Sequence, residues 1–436
     1  MMARSEHPLI EQWSDEFRSW RGSTESDWLQ ELQAGAAGDF ANSGMPGRKT
    51  EAWKYTPLRL LESRAPVLVK TAEASAVSES FPRSLSGEDT LTVNLLDGCL
   101  HGALPAAPEG VSLLSLTDGL EVYENELRQL FPAIDTEGAG RLCAALNTAF
   151  LQQGLVVHVG SNVRAGRLSM RWAFSPEGAA TLGNTRVVVL LDEGAQLEIV
   201  EQFESLAGSY GSLNIVMQAN LGERSSLDQV RIMKESDEAL VLTSTQVEQA
   251  AGSSYQYSGF DLGGGLVRHE LNSKLAGEAA KAGFDGAFVL DRKRHVDNHI
   301  SVDHASPGCS SSQFFRGVLG DRSRGVFNGR ALIRRGSDDS VVHQSNANLL
   351  LSRLAEIDTK PELEIYADEV EASHGATVGQ LDEDAIFYLR TRGLSDASAR
   401  RLLTMAFCRA VTDRLADREL ADRLSGWVDE AMPESI

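Results

Sequence analysis

Residues 358–389 read DTKPELEIYADEVEASHGATVGQLDEDAIFYL. Leu363-Glu-Ile-Tyr-Ala-Asp-Glu-Val alternates apolar and polar side chains, the period of a strand. From Asp384 the period changes: Ile386 and Leu389 fall on one face of a helix that Gly393 ends. The stretch is therefore a seam between a long run of strands and a run of helices. His374, followed by Gly375, sits at that seam. It reads as a buried residue, either one that packs or one that belongs to a working interface.

Upstream of the seam, from about 155 to 370, short strand-like segments follow one another. They include Leu155-Val-Val-His-Val, Thr185-Arg-Val-Val-Val-Leu-Leu, Gln196-Leu-Glu-Ile-Val, Ser226-Leu-Asp-Gln-Val-Arg-Ile and Gly286-Ala-Phe-Val-Leu. Turn glycines recur at Gly166, Gly194, Gly222, Gly252, Gly277, Gly308 and Gly336, at intervals of 28, 28, 30, 25, 31 and 28 residues. No strict sequence repeat accompanies them, and no helical segment of 10–15 residues intervenes. Strands at this period predict a coiled solenoid whose stacked turns bury one continuous interior. Val, Ile, Leu and Phe should point inward, and Glu, Arg, Gln and Asp outward. An antiparallel sandwich would instead show turns every 8–12 residues and Asn-Gly hairpins.

The flanks differ from this core. Residues 1–75 read as a helical region, with Trp13, Phe17, Trp20, Trp28 and Leu32 near helical spacing, Thr24 or Ser26 as a cap, and a loop over 34–49. Residues 76–154 read as a mixed linking region, 155–379 as the solenoid, and 380–436 as a C-terminal helical domain. The C-terminal helices, one of them starting at Ser395 with Leu402, Leu403, Phe407 and Val411 on its apolar side, should cap the open end of the coil or dock a partner.

The 436-residue chain carries a net charge of −21, which makes nucleic acid and anionic membranes poor partners. No segment has the length and apolarity of a membrane span or signal peptide, which points to the cytoplasm. Cys99, Cys143, Cys309 and Cys408 are scattered, with no CxxC to signal a zinc or stable cluster site. Neither GxSxG, HExxH nor a nucleotide fingerprint occurs.

Among candidate ligands, His295, Asp297, His299, Ser301 and Asp303 share one face of a strand. Imidazole with carboxylate suits iron or zinc, but an exposed polar face or a subunit interface is the simpler reading. Cys309, in Pro-Gly-Cys-Ser-Ser-Ser, is a transient thiolate ligand or a small buried hydrophobe.

Several motifs together resemble the SufB/SufD family of iron–sulfur cluster assembly proteins. They are NLLLS at 348–352, AEIDTKPELEIYADEV at 355–370, SHGATVG at 373–379, LDEDAIFYLRTRG at 381–393, GVLGDRSRGVFNG at 317–329 and RKTEAWKYT at 48–56. The resemblance covers most of the chain, is densest over 343–393, and is strongest toward the SufD branch. It implies a mainly β fold, a right-handed parallel β-helix flanked by N- and C-terminal helical regions. It also implies pairing with SufB through the β-helix and with the ATPase SufC through the C-terminal helices, and leaves open whether the chain forms a homodimer in isolation. His374 matches the family's interface histidine, which implies transient contact with iron or a cluster. The cysteine often found two residues before that histidine is Ala372 here, so any metal role rests on the imidazole. No stably bound cofactor is expected.

The resulting reading is a non-enzymatic scaffold subunit. Two rivals remain. One is a packing subunit without metal contact. The other is a β-solenoid enzyme on acidic sugars, for which Asp291, Arg292, Lys293 and Arg294 would form a weak version of the site.

Overall fold

A computed structural model describes residues 7–20, 26–69, 81, 90–134, 139–206 and 208–433. Among these, two ten-stranded sheets face each other. The chain alternates between them. One sheet stacks Thr181–Leu191, Ser212–Leu221, Leu240–Gln249, Leu266–Leu275, His295–His304, Arg324–Ile333 and Glu356–Ile365 in that order. The other stacks Arg164–Ala173, Gln196–Phe203, Ser226–Met233, Ser254–Asp261, Lys281–Leu290, Ser310–Leu319, Ser340–Leu350 and Val370–Gly379. All these pairings are parallel. The chain is thus a β-solenoid, as its strand period predicts.

Register explains the glycine pulse. Gln196, Ser226, Ser254, Lys281 and Ser310 lie one beside the next, 30, 28, 27 and 29 residues apart. Each coil is two strands and two corners. Gly194, Gly252, Gly308 and Gly336 take φ of +68°, +65°, +67° and +79° at corners, the left-handed region that glycine enters without a steric cost. Asn162, Arg224, Arg292 and Asp321 fill left-handed corner positions elsewhere, so the pulse is irregular. Gly166 is not a corner: it lies in a strand, at the irregular register between Arg164 and Arg167.

Residues in register point the same way, so the interior can be read in columns. Its wall is largely apolar, as expected: Leu197, Ile199, Tyr257, Phe284, Phe288, Val296 and Ile300 belong to one buried cluster. The expectation that charged side chains point outward fails in the middle coils. Glu201 and Arg231 are inside and buried. The Arg231 guanidinium donates from Nε and Nη2 to Glu201 Oε2 at 2.9 and 2.7 Å. Arg231 Nη1 also donates to Thr243, which meets His269 Nδ1 at 2.7 Å, and His269 Nε2 meets Asp261 at 2.9 Å. Complete pairing is what lets these charges stay buried.

The two helical regions cover opposite outer faces. Helices Pro8–Trp20, Asp27–Ser43 and Leu142–Ala149 lie on the first sheet, burying Trp13, Phe40, Leu146 and Phe150 with Leu182, Leu240, Leu242 and Leu266. The predicted loop at 34–49 is helical through Ser43, because Gln33, Ala36, Ala37 and Phe40 bury one side. Ser26 is the N-cap residue of that helix, whereas Thr24 lies outside the described residues. Helices Asp396–Thr412 and Arg418–Glu430 lie on the second sheet, and Glu383–Thr391 packs on the first of these two. There Cys408, Val411, Leu420, Leu424 and Val428 pack on Val200, Val230, Ile232, Phe260, Val289 and Val318. Arg414 pairs with Asp285 at 2.8 Å and Arg167 reaches Asp417 at 2.5 Å. The expectation that the C-terminal helices cap the open end therefore fails for these two, which lie along the flank. Their apolar stripe matches a row of outward valines on the flank.

Candidate functional site

The two ends of the solenoid differ. At the first, Val111–Ser115 pairs antiparallel with Gln153–Val159, and Cys99–His101 pairs antiparallel with Leu91–Leu96. At the other, Glu356–Ile365 and Val370–Gly379 are the terminal strands of their sheets, and nothing among the described residues pairs with their outer edges. Burial alternates along Ser340–Leu350 but is lost along Val370–Gly379. These strands are long enough to be templates, because an uncovered edge presents a row of unpaired backbone groups that another chain can pair with.

Register identifies the side chains that continue the interior at this end. From the first sheet they are Ile357, Thr359, Pro361, Leu363 and Ile365. These are partners of Gly325, Phe327, Gly329, Ala331 and Ile333. From the second they are Val370, Ala372, His374, Ala376 and Val378, aligned with Ser340, Val342, Gln344, Asn346 and Asn348. The end is a ring of mainly apolar residues with one imidazole in it. His374 is exposed rather than buried, because the coil that would cover it is missing from this chain. Ala372 is in the adjacent inward column and supplies no donor. His343, one strand back, is on the outer side and meets Ser373 at 2.8 Å. Among the described residues, no group of three or more His, Cys, Asp or Glu side chains is placed to hold a metal ion.

The other sequence candidates are not part of this end. The His295/Asp297 row, expected to be exposed, lies beneath the N-terminal region. Thr56 Oγ1 donates to Asp297 Oδ2 and stands 3.2 Å from His295 Nε2. Arg268, paired with Asp297, stacks under the Trp53 ring at 4.2 Å, and Trp53 Nε1 donates to Gly140 at 3.0 Å. The RKTEAWKYT segment is thus a latch onto this row, which sequence alone could not pair with it. Burial lowers the His295 pKa to about 4. Burial would raise that of Asp297, but Arg268, His299 and Thr56 together hold it below the usual range. Cys309 is fully buried, its thiol directed at Gly277 O at 3.3 Å, and burial raises its pKa. Arg292 and Arg294 both pair with Asp237, and Arg294 also meets Asp291 at 2.9 Å, which leaves the suggested sugar site largely charge-neutralised.

A second exposed surface lies on the C-terminal helices. Phe387 and Tyr388 are 67% and 57% exposed and Leu402 is 49% exposed, although Ile386 beside them is buried. Arg392 lies over the Tyr388 ring at 5.2 Å.

Known proteins match the chain over most of its length. A family model described as the SufBD core domain of SUF system FeS cluster assembly matches residues 174–407, and one for the SufBD protein N-terminal region matches residues 8–168. The chain is 28% identical over 426 residues to the iron–sulfur cluster assembly protein SufD of Escherichia coli, covering 97% of both chains. It is 25% identical over 412 residues to the chloroplastic protein ABCI7 of Arabidopsis thaliana, covering 92% of this chain and 85% of that one. The solenoid, its flanking helical regions and these matches together place the chain in the SufBD family of iron–sulfur cluster assembly proteins.

Proposed function

We propose that this chain is the SufD-type, non-enzymatic subunit of a cluster assembly scaffold. Its bare solenoid end pairs with SufB, its C-terminal helices hold the ATPase SufC, and His374 contacts iron or a nascent cluster as cargo. The observation that carries the reading is the asymmetry of the solenoid: both outer faces are covered by the chain's own helices, one end is closed by antiparallel strands, and the other end offers two unpaired edges around one imidazole.

Several features support each part. An edge strand supplies affinity through backbone hydrogen bonds, and an apolar ring supplies a core for the interface. In the absence of SufB the same edge can accept a second copy of the chain. Exposed aromatic residues beside arginine on the C-terminal helices have the chemistry of interface anchors. A neutral imidazole is a good iron ligand but only one donor, so the cargo would be shared with the partner.

The test is co-purification with SufB and SufC, comparing wild type with His374→Ala for subunit ratio and iron content. Intact assembly with reduced iron supports the reading. Intact assembly with unchanged iron reduces His374 to packing, and failed assembly makes its role mechanical.

A further inference from the structure

Below His374 the interior column runs Tyr257, Phe284, Gln313, Gln344. It changes from aromatic to amide as it nears the open end. Gln344 is 4% exposed and Gln313 is 2% exposed. Both reach across the interior to the first sheet. Gln344 Nε2 donates to Gly329 O at 3.2 Å, and Gln313 Nε2 donates to Arg330 O at 3.4 Å. A Cβ on Gly329 would come within 2.3 Å of Gln313 Oε1, so the glycine makes room for this crossing.

Donation to backbone carbonyls fixes the orientation of each amide, because a flipped amide would set oxygen against oxygen. The oxygens are then left over: Gln344 Oε1 and Gln313 Oε1 are buried without a hydrogen-bond partner. Buried acceptors are rarely left so. His374 is the residue beside Gln344 on the neighbouring strand, in register and pointing the same way. Strands lie about 4.8 Å apart, within reach of one imidazole rotation. An imidazole offers a single N–H when neutral, and the bond made by one nitrogen decides which nitrogen carries the lone pair.

We propose that Gln344 is the positioning residue for His374. Its Oε1 accepts the N–H of the nearer ring nitrogen, which fixes a single tautomer and turns the other nitrogen, lone pair outward, to the open end. This deepens the proposed function and rests on it only for its consequence, since outer partners of ligating histidines commonly govern metal affinity. The tautomer itself is a property of the free chain.

The experiment uses the full chain labelled with 15N-histidine, with the His374 signals assigned by their loss in His374→Ala, at about pH 9 where ordinary histidines are neutral. Wild type should show one nitrogen protonated and the other not. Gln344→Leu should show averaged shifts from a mixture, and Gln313→Leu, one coil deeper, should leave the single tautomer unchanged. In the SufB–SufC complex Gln344→Leu should lower iron affinity about 10-fold. Averaged shifts in wild type would overturn the proposal and leave the proposed function standing, as would a Gln344→Leu spectrum identical to wild type. Should Gln344→Leu not fold, the wild-type spectrum alone decides. Loss of iron binding in His374→Ala is the separate test of the reading on which the consequence rests.

Discussion

Thr56 donates its hydroxyl proton to Asp297, 241 residues later in the chain, and so fastens the N-terminal region to the outside of the solenoid. The carboxylate is buried, and Arg268 and His299 share it. Removing Thr56 as Thr56→Val takes away one charge-assisted bond and should cost about 1.5–3 kcal/mol. Asp297→Ala leaves Arg268 buried without its counter-charge and should cost more, about 3–5 kcal/mol. Chemical denaturation of the three proteins checks the order: wild type, Thr56→Val, then Asp297→Ala. Equal stability of all three would show that the latch contributes nothing.

The same latch sets a pH dependence. His295 has its folded pKa depressed to about 4, chiefly by burial, against about 6.5 when unfolded. The unfolded state therefore binds the proton first as pH falls. The stabilising contribution is complete above about pH 6.5 and is lost progressively toward pH 4. Its size is on the order of 1–3 kcal/mol. His304, also held near 4 by burial, acts in the same direction. Buried Glu235, raised to about 8, acts oppositely, favouring the folded state at low pH and losing that effect as pH rises from about 4.5 to 8. The clean readout is thus a difference. Between pH 6.5 and 4.5 wild type should lose stability relative to His295→Asn. A pH-independent difference would remove His295 from the account.

Sequence periodicity made the solenoid and its helical flanks legible because each depends on local alternation. Leu240-Val-Leu and Ser226-Leu-Asp-Gln-Val show their strand character whatever lies around them. What each face meets was not legible. Glu201, Arg231 and His269 look like surface residues until register places all three inside, where they satisfy one another. The apolar side read from Leu402, Leu403, Phe407 and Val411 announces that a helix buries one face, although Cys408 and Val411 carry that burial and Leu402 is half exposed. It does not say that the surface is Val230 and Val289 on the flank rather than the coil's end. His374 was picked out by its motif and misjudged in burial, since alternation cannot tell a last strand from an internal one. Its neighbour in space, Gln344, gave no sequence signal beyond lying 30 residues upstream, one coil away.

The placement of the C-terminal helices changes how their role is tested. Deleting them would strip the cover from Val200, Ile232, Phe260 and Val318 and should destabilise the solenoid itself. Surface substitutions avoid this. Phe387→Ala and Tyr388→Ala act on side chains that are mostly exposed, so each should alter chain stability by no more than about 0.5 kcal/mol. If these residues anchor SufC, each should weaken its capture by about 1–2 kcal/mol, near 10-fold. Unchanged SufC binding in the double variant would move the contact off this surface.

The bare end gives the last test. Val378 continues the interior column above Asn348 yet is 49% exposed. In the free chain an arginine there can extend into water, so Val378→Arg should leave the melting temperature within a few degrees of wild type. In a pair joined at this end the same arginine would be forced into the apolar ring near Ile357, across the interior from it, where an unpaired charge is strongly disfavoured. SufB pairing, and self-association in its absence, should then fail while SufC capture persists. On the proposed function the two interactions separate, because Val378 lies on the terminal strand of the coil and Phe387 and Tyr388 lie on a C-terminal helix. Retention of SufB by Val378→Arg would place the pairing surface elsewhere and leave the exposed strand edges without a function, while loss of both partners would point to a general defect in folding, which the melting temperature would reveal.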